Sequence, residues 1–263
     1  MDIRFIGTGG GRFCMIQQLR QTGGFVLHHD GFSMYVDPAP GALVHGLQND
    51  VPFQNLDAVF VSHGHLDHQG DLEVVVEAMT NGCTEKRGIL IGNETVLEGS
   101  EEFERSIDDY HREALASTVT AQSGTSHTLD DVRLTFRETR HKDIQTTGFQ
   151  LTTQERTLSY IPDTGYFEEL PERFDGSDYL VMNVLRPHDR DWEGHLNLEE
   201  ALQLIREIGP EQALLQHFGA SFIQSFREQY QWLEEQNDTE TDIVFASDNT
   251  LHSFEEKNLE RYV

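Results

Sequence analysis

Lysine is nearly missing from this chain. Lys86, Lys142 and Lys257 are its three lysines among 263 residues, and 19 Lys and Arg face 46 Asp and Glu, for a formal net charge of −27. A long nucleic acid is gripped by basic side chains that neutralise its phosphates. No basic stripe is present, so long RNA or DNA is disfavoured as a partner. Cysteine is equally scarce. Cys14 and Cys83 are too few for a disulfide framework and form no Cys-x-x-Cys pair, so both are expected as small buried or half-exposed thiols. No apolar run approaches the length of a membrane span, and Met1-Asp2-Ile3-Arg4 lacks the shape of a signal peptide. The expectation is a cytoplasmic protein without a membrane partner. The seven prolines are scattered, and there is no Pro- or Ser-rich linker, charged tail or internal repeat. A single domain over 1–263 is therefore expected, long enough to bury a sizeable core. A large acidic excess with so little lysine resembles the surface of a halophile protein, where salt screens self-repulsion.

Against these absences stands one dense feature. Residues 63–68 read His63-Gly64-His65-Leu66-Asp67-His68, four metal-ligand side chains in six positions. The apolar run Asp57-Ala58-Val59-Phe60-Val61-Ser62 precedes them as a strand, and Leu72, Val75, Val76 and Met79 follow at helical spacing. Three imidazoles and a carboxylate in one strand-to-helix turn make sense if they converge on cations, with His63 and His65 facing one ion and Asp67 and His68 another. Three more candidates each end a strand-like segment. His141 follows Val132-Arg133-Leu134-Thr135-Phe136, Asp163 follows Thr157-Leu158-Ser159-Tyr160-Ile161-Pro162, and His217 follows Ala213-Leu214-Leu215-Gln216. Five His and two Asp suffice for two metal sites with a shared carboxylate, each keeping a position open for water and substrate.

In this order the residues resemble the metallo-β-lactamase-fold hydrolases, nearly end to end. Their pattern is H-x-H-x-D-H, a distant His, an Asp and a last His, and His63, His65, Asp67, His68, His141, Asp163 and His217 occupy those places. Val36-Asp37-Pro38 resembles the family's early Asp motif, which implies that Asp37 supports the metal loop without ligating. Within the superfamily the chain looks closest to the ribonuclease Z and cyclic-phosphodiesterase branch. Phe5-Ile6-Gly7-Thr8-Gly9-Gly10-Gly11 opens the chain in that style, and Asp163-Thr164 resembles its bridging Asp-Thr step. Gly194-His195-Leu196-Asn197 stands where those enzymes carry a catalytic histidine that is not a ligand. The resemblance implies a four-layer αββα sandwich; periodicity alone supports only a layered α/β domain.

Strands are expected at 2–6, 25–29, 32–36, 57–61, 88–91, 117–122, 126–137, 145–152, 156–161, 178–184, 211–216, 242–246 and 249–254. Asp30-Gly31 is a credible hairpin turn. Helices are expected at 68–79, near 100–115, and at 166–173, 197–208 and 220–236, with Asn197 as an N-cap. Thr8-Gly9-Gly10-Gly11 lacks the full dinucleotide-binding frame and has no Gly-Lys-Ser/Thr step, so these glycines are read as a tight turn or a border of the active site. His28 and His29 are read as structural. His45, His111, His127 and His252 lack ligand-like company. His188, in Arg186-Pro187-His188-Asp189-Arg190-Asp191-Trp192, belongs to a loop that either caps the pocket and reads an anionic substrate or is simply solvated. Asp143 is a candidate to orient the His141 loop.

The function expected is a dinuclear metal-dependent hydrolase using a metal-bound hydroxide, since metal binding lowers water's pKa from about 15.7 towards 7. The metals are expected as two divalent ions, zinc first, with manganese or iron as alternatives. Asp163 would bridge them, Asp67 and His195 are the candidate catalytic residues, and His195 is the candidate proton donor to the leaving group. The substrate class favoured by the resemblance is a small anionic phosphodiester of the cyclic nucleotide or cyclic ribose phosphate kind. Only 22 positions separate His141 from Asp163, which leaves no room for the RNA-gripping arm that ribonuclease Z enzymes insert there. Carboxylic ester, thioester or lactone hydrolysis is the enzymatic alternative. Di-iron redox chemistry is disfavoured because that branch has Glu at the His65 place, and antibiotic hydrolysis because β-lactamases have Cys near the Asp163 place. A metal-holding scaffold or ligand sensor is the alternative outside enzymology. A homodimer is the generic expectation.

Overall fold

The computed structural model describes residues 1–129, 131–142 and 144–254. Strands are β1 (Asp2–Phe5), β2 (Phe25–His29), β3 (Phe32–Val36), β4 (Ala58–Val61), β5 (Ile89–Gly92), β6 (Ser117–Thr120) and β7 (Ser126–Leu129). They continue with β8 (Val132–Arg140), β9 (Gln145–Thr152), β10 (Thr157–Ile161), β11 (Tyr179–Asn183), β12 (Gln212–Gln216), β13 (Asp242–Phe245) and β14 (Thr250–Ser253). Two seven-stranded sheets result, ordered β14-β1-β2-β3-β4-β5-β6 and β13-β12-β11-β10-β9-β8-β7. In each, antiparallel pairing gives way to parallel pairing, at β3–β4 in the first sheet and at β10–β11 in the second.

Helices are α1 (Gly11–Gln17), α2 (Ala42–Gln48), α3 (Leu66–Gln69), α4 (Leu72–Met79), α5 (Glu94–Glu98), α6 (Asp109–Ala114), α7 (Leu170–Arg173), α8 (Leu198–Ile208), α9 (Ala220–Gln224) and α10 (Phe226–Gln236). Strand alternation explains the layers. Phe25 and Leu27 point between the sheets, where they join Phe60, Phe136, Phe149 and Tyr160 from both. Val26, one residue out of phase, packs on the opposite face with Val59, Val61 and the Leu72, Val75, Val76 and Met79 stripe of α4. Leu180 and Met182 do the same for the second sheet, against Leu198, Ala201, Leu202 and Ile205 of α8. Helix, sheet, sheet, helix is the expected αββα sandwich. Among the described residues no helix is long and apolar enough to cross a membrane.

The helix expected at 166–173 is confined to α7, and α1, α2 and α5 form where no helix was expected; four further differences have a local reason. The helix expected over 68–79 breaks before α4, because Asp71 N donates to Pro38 O (2.9 Å) while its carboxylate accepts from Gly41 N and Leu43 N. The strand expected over 126–137 is the hairpin β7–β8, with Leu129 opposite Val132; Asp131, just before β8, is a poor strand former. The acidic helix near 100–115 shrinks to α6, capped by Asp108 accepting from His111 N (2.8 Å). The helix over 220–236 is interrupted at Ser225, whose hydroxyl donates back to Ser221 O (3.1 Å). Helix α8 begins as expected, with a complete capping box between Asn197 and Glu200. The Asp30-Gly31 turn joins β2 to β3 with positive φ at both residues.

Candidate metal centre

The site lies along one edge of the sandwich, at the carboxyl ends of strands. Ser62 and His63 follow β4, His141 follows β8, Asp163 lies two residues past β10, and His217 follows β12. His63 Nε2 and His141 Nε2 come within 3.1 and 3.3 Å of His65 Nδ1. His68 Nε2 lies 3.9 Å from Asp67 Oδ2 and 3.4 Å from Asp163 Oδ2. His217 Nε2 lies 3.5 Å from Asp67 Oδ2 and 3.4 Å from Asp163 Oδ1. The seven side chains therefore sort into two groups, His63–His65–His141 and Asp67–His68–His217, with Asp163 between them and within reach of His63 and His68. All seven residues read from the sequence are brought together.

The donor set fits a divalent cation. Ligand nitrogens 2.0–2.1 Å from a tetrahedral ion lie about 3.3–3.4 Å apart, close to the spacing of the three imidazoles. His68 Nε2, His217 Nε2 and His195 Nδ1 are buried with no hydrogen-bond partner among the described residues, although a buried polar atom ordinarily finds one.

Neighbouring groups aim the rings. Asp37, in a left-handed backbone conformation (φ 50°) directly after β3, accepts from Ser62 N (2.7 Å), Ser62 Oγ (2.7 Å), His68 Nδ1 (2.9 Å) and Tyr160 Oη (2.6 Å). Because Tyr160 belongs to the opposite sheet, this carboxylate also ties the two sheets together. It stands outside both donor groups and touches them through His68 and Ser62. The single hydroxyl proton of Ser62 goes to Asp37, so His63 Nδ1 must donate to Ser62 Oγ (3.0 Å). That leaves His63 Nε2 as a bare lone pair facing His65. His141 Nδ1 donates to Gly194 O (2.9 Å), with the same consequence for its Nε2. Asp163 Oδ1 accepts from Asn183 Nδ2 (2.8 Å), and Asn183 Oδ1 accepts from Gln216 Nε2 (3.1 Å). Asp67 Oδ2 accepts from Gly11 N (2.8 Å).

Proton affinities follow this geometry. Burial pushes the His63 ring well below the ordinary imidazole range, and the adjacent His68 adds to it. Burial also pulls His68 down, but Asp163 and Asp37 outweigh it and lift that ring well above the ordinary value. Burial lowers His141. For Asp163 burial favours the neutral form, yet His217, His68 and His195 hold it well below the usual carboxylate range. Asp67 is lowered by His68 and His217 against the same opposition.

The glycine-rich turn is a wall of the site. A Cβ on Gly10 would collide with the His217 ring, and Gly10 N donates to Phe218 O (3.0 Å). His217 itself is in the left-handed region (φ 62°), where non-glycine residues are strained. Gly194 (φ 83°) has no room either, since a Cβ would sit 2.8 Å from His141 Nδ1. His195 lies at the site, with Nδ1 3.2 Å from Asp163 Oδ2 and its ring 4.6 Å from His141.

Several readings are corrected. His188 is anchored within the 186–192 loop: its ring stacks on Trp232 (4.6 Å), and its N and Nδ1 both donate to Gln229 Oε1, while Asp189, Arg190, Asp191 and Trp192 are exposed. Arg186 faces Trp192 (4.5 Å) and donates to Ser221 Oγ. His111, read as lacking ligand-like company, stands beside Glu77, Cys83 and Asp108. Asp143 lies outside the described residues. The roles of Ser62, Tyr160 and Asn183 escaped sequence reasoning, as did the hydrogen bond that Gly194 O accepts from His141. Ser62, adjoining His63, and Gly194, adjoining His195, carried a positional hint.

Residues 33–218 match the family described as Beta-lactamase superfamily domain. The chain belongs to that superfamily. A protein of Methanocaldococcus jannaschii is 37% identical over 221 residues, covering 83% of each chain. YhfI of Bacillus subtilis is 26% identical over 223 residues, covering 82% of this chain and 86% of its own. The crystal structure of YhfI, a metallo-beta-lactamase fold protein, superposes with a TM-score of 0.76 at 21% identity, over 95% of this chain and 98% of that one. A diphosphatase of the PhnP family superposes with a TM-score of 0.70 at 16% identity, over 97% and 98% of the two chains. The protein is thus a metallo-hydrolase of the beta-lactamase superfamily, and the fold implies divalent metal binding at the His/Asp cluster.

Proposed function

We propose that the protein is a dinuclear phosphodiesterase acting on a small anionic phosphodiester. The observation that carries this reading is Asp163, which stands between the His63–His65–His141 and Asp67–His68–His217 groups with two imidazoles near one oxygen and a third near the other. Two divalent ions, zinc first among them, would be held by these groups, with Asp163 shared; when bound, they would lower the pKa of a water and absorb charge developing on the phosphoryl oxygens. The chain's own residues do the rest. Asp37, Ser62 and Asn183 fix the tautomers and orientation of the donors, so little reorganisation is needed on binding. His195 stands with Nδ1 3.2 Å from Asp163 Oδ2, and Nε2 is the atom from which a proton passes to the leaving alkoxide. Asp67, pinned by Gly11 N, acts within the donor set.

The phosphorus substrate is supported by the Asp163-Thr164 and Gly194-His195-Leu196-Asn197 resemblances, and by the likeness to a PhnP-family diphosphatase. The acidic composition favours a small substrate over a polynucleotide. Metal-loaded protein is expected to hydrolyse bis-p-nitrophenyl phosphate and cyclic nucleotides faster than p-nitrophenyl acetate or a lactone panel. The reverse preference would assign it to ester or lactone hydrolysis. Two bound metals with no turnover on either panel would assign it to a scaffold or sensor.

A further inference from the structure

Away from the candidate metal centre, three segments converge on a second cluster. Glu77 lies on α4, Cys83 on the turn that follows it and His111 on α6, and each offers one donor atom within 4.8 Å of the other two. His111 Nδ1 is 2.7 Å from Asp108 Oδ1, and His111 Nε2 is 3.3 Å from Glu77 Oε1. Glu73 Oε1 lies 3.6 Å from His111 Nδ1.

We propose that Cys83, His111 and Glu77 form a separate binding site for a borderline-soft divalent cation such as Zn²⁺. The donors are one thiol, one imidazole and one carboxylate, a set that suits zinc and its neighbours. A carboxylate that holds one histidine nitrogen and directs the other towards a ligand position is the usual support of a metal-binding histidine, and Asp108 stands in that place. A surface ion-pair cluster would explain the carboxylates around His111, but it would not call for a thiol within 4.8 Å of both the His111 and Glu77 donor atoms. Glu77 is exposed and His111 and Cys83 are half-buried, so the donors can close the remaining gap to bonding distance and exchange metal with solvent. Binding displaces the thiol and imidazole protons. The cation would brace α4 against α6. Glu73 and Asp108 line an open groove with Phe103, whose ring lies 5.6 Å from His65.

Co²⁺ tests this, because the main site has no thiolate. Titration of the metal-stripped full chain is expected to produce near-ultraviolet cobalt–thiolate absorption. That absorption should be absent in Cys83→Ser, retained in Cys14→Ser, and shifted to about tenfold or more higher Co²⁺ in His111→Ala. No thiolate absorption in the natural chain, or absorption that survives Cys83→Ser or titrates unchanged in His111→Ala, overturns the proposal. The natural chain gives a second readout that needs no variant. Cys14 is fully buried, so alkylation followed by peptide mapping reports Cys83. Zn²⁺ is expected to slow it by about tenfold or more, and an unchanged rate overturns the site.

Discussion

The two sheets are built alike yet furnish the site differently. The first packs four donors into one turn, residues 63–68, behind β4. The second delivers His141, Asp163 and His217 from three separate loops. In the first half, placement is a matter of local backbone; in the second, it depends on how β8, β10 and β12 are aligned by pairing and packing. The supports differ in the same way. Asp37 accepts four hydrogen bonds and reaches both sheets, whereas Asn183 positions a single carboxylate from within its own sheet.

Replacing one donor from each half breaks the comparison most severely. His63→Ala and His217→Ala are both expected to lose metal and hydrolysis together, measured by elemental analysis and turnover. If His217→Ala kept full metal and full rate, the second half would not feed the site. His195→Ala should separate the two readouts, keeping metal while kcat falls by about 10²–10⁴-fold. Should it shed metal as His63→Ala does, the division between donor and proton carrier is wrong.

The struts sharpen the contrast in stability. Asp37→Ala leaves Ser62 N, His68 Nδ1 and Tyr160 Oη without their acceptor and should cost about 3–5 kcal/mol in denaturant unfolding. Asn183→Ala should cost about 1–3 kcal/mol and weaken metal binding by about 10–100-fold. Equal costs would mean that the sheets are braced alike. Gly10→Ala forces a methyl group against His217 and should cost about 1–3 kcal/mol, with weaker metal binding and an unaltered 63–68 turn. The acidic surface belongs to neither half. Stability is expected to rise between dilute and multimolar KCl, and full stability in dilute buffer would remove the halophilic reading.

Much of this was legible in advance because both periods are strong. Alternation of Val132, Leu134 and Phe136 in β8 and the stripe Leu72, Val75, Val76 and Met79 in α4 each specify a buried face, and both are buried. The donor residues could be read because a compact turn advertises itself, and the other three follow at strand ends. Asp71 and Ser225 broke helices through their own side chains, a competition that apolar spacing does not register. Tyr160 and Asn183 read as ordinary strand residues, since nothing near them in the chain hints at a partner 123 or 20 residues away. The company of His111 was hidden for the same reason.

By itself, the order of amino acids determined the layered α/β pattern, the crowded turn at 63–68, the lack of a basic surface and the types of side chain available to hold cations. Only the tertiary structure decided that His141, Asp163 and His217 meet that turn, that Gly10 backs a ligand ring, and that Cys83 and His111 share a corner. The reason is physical: spacing along a chain encodes which face of an element is buried. Which loops then meet at a sandwich edge is settled only when two sheets pack and every buried polar atom must find a partner.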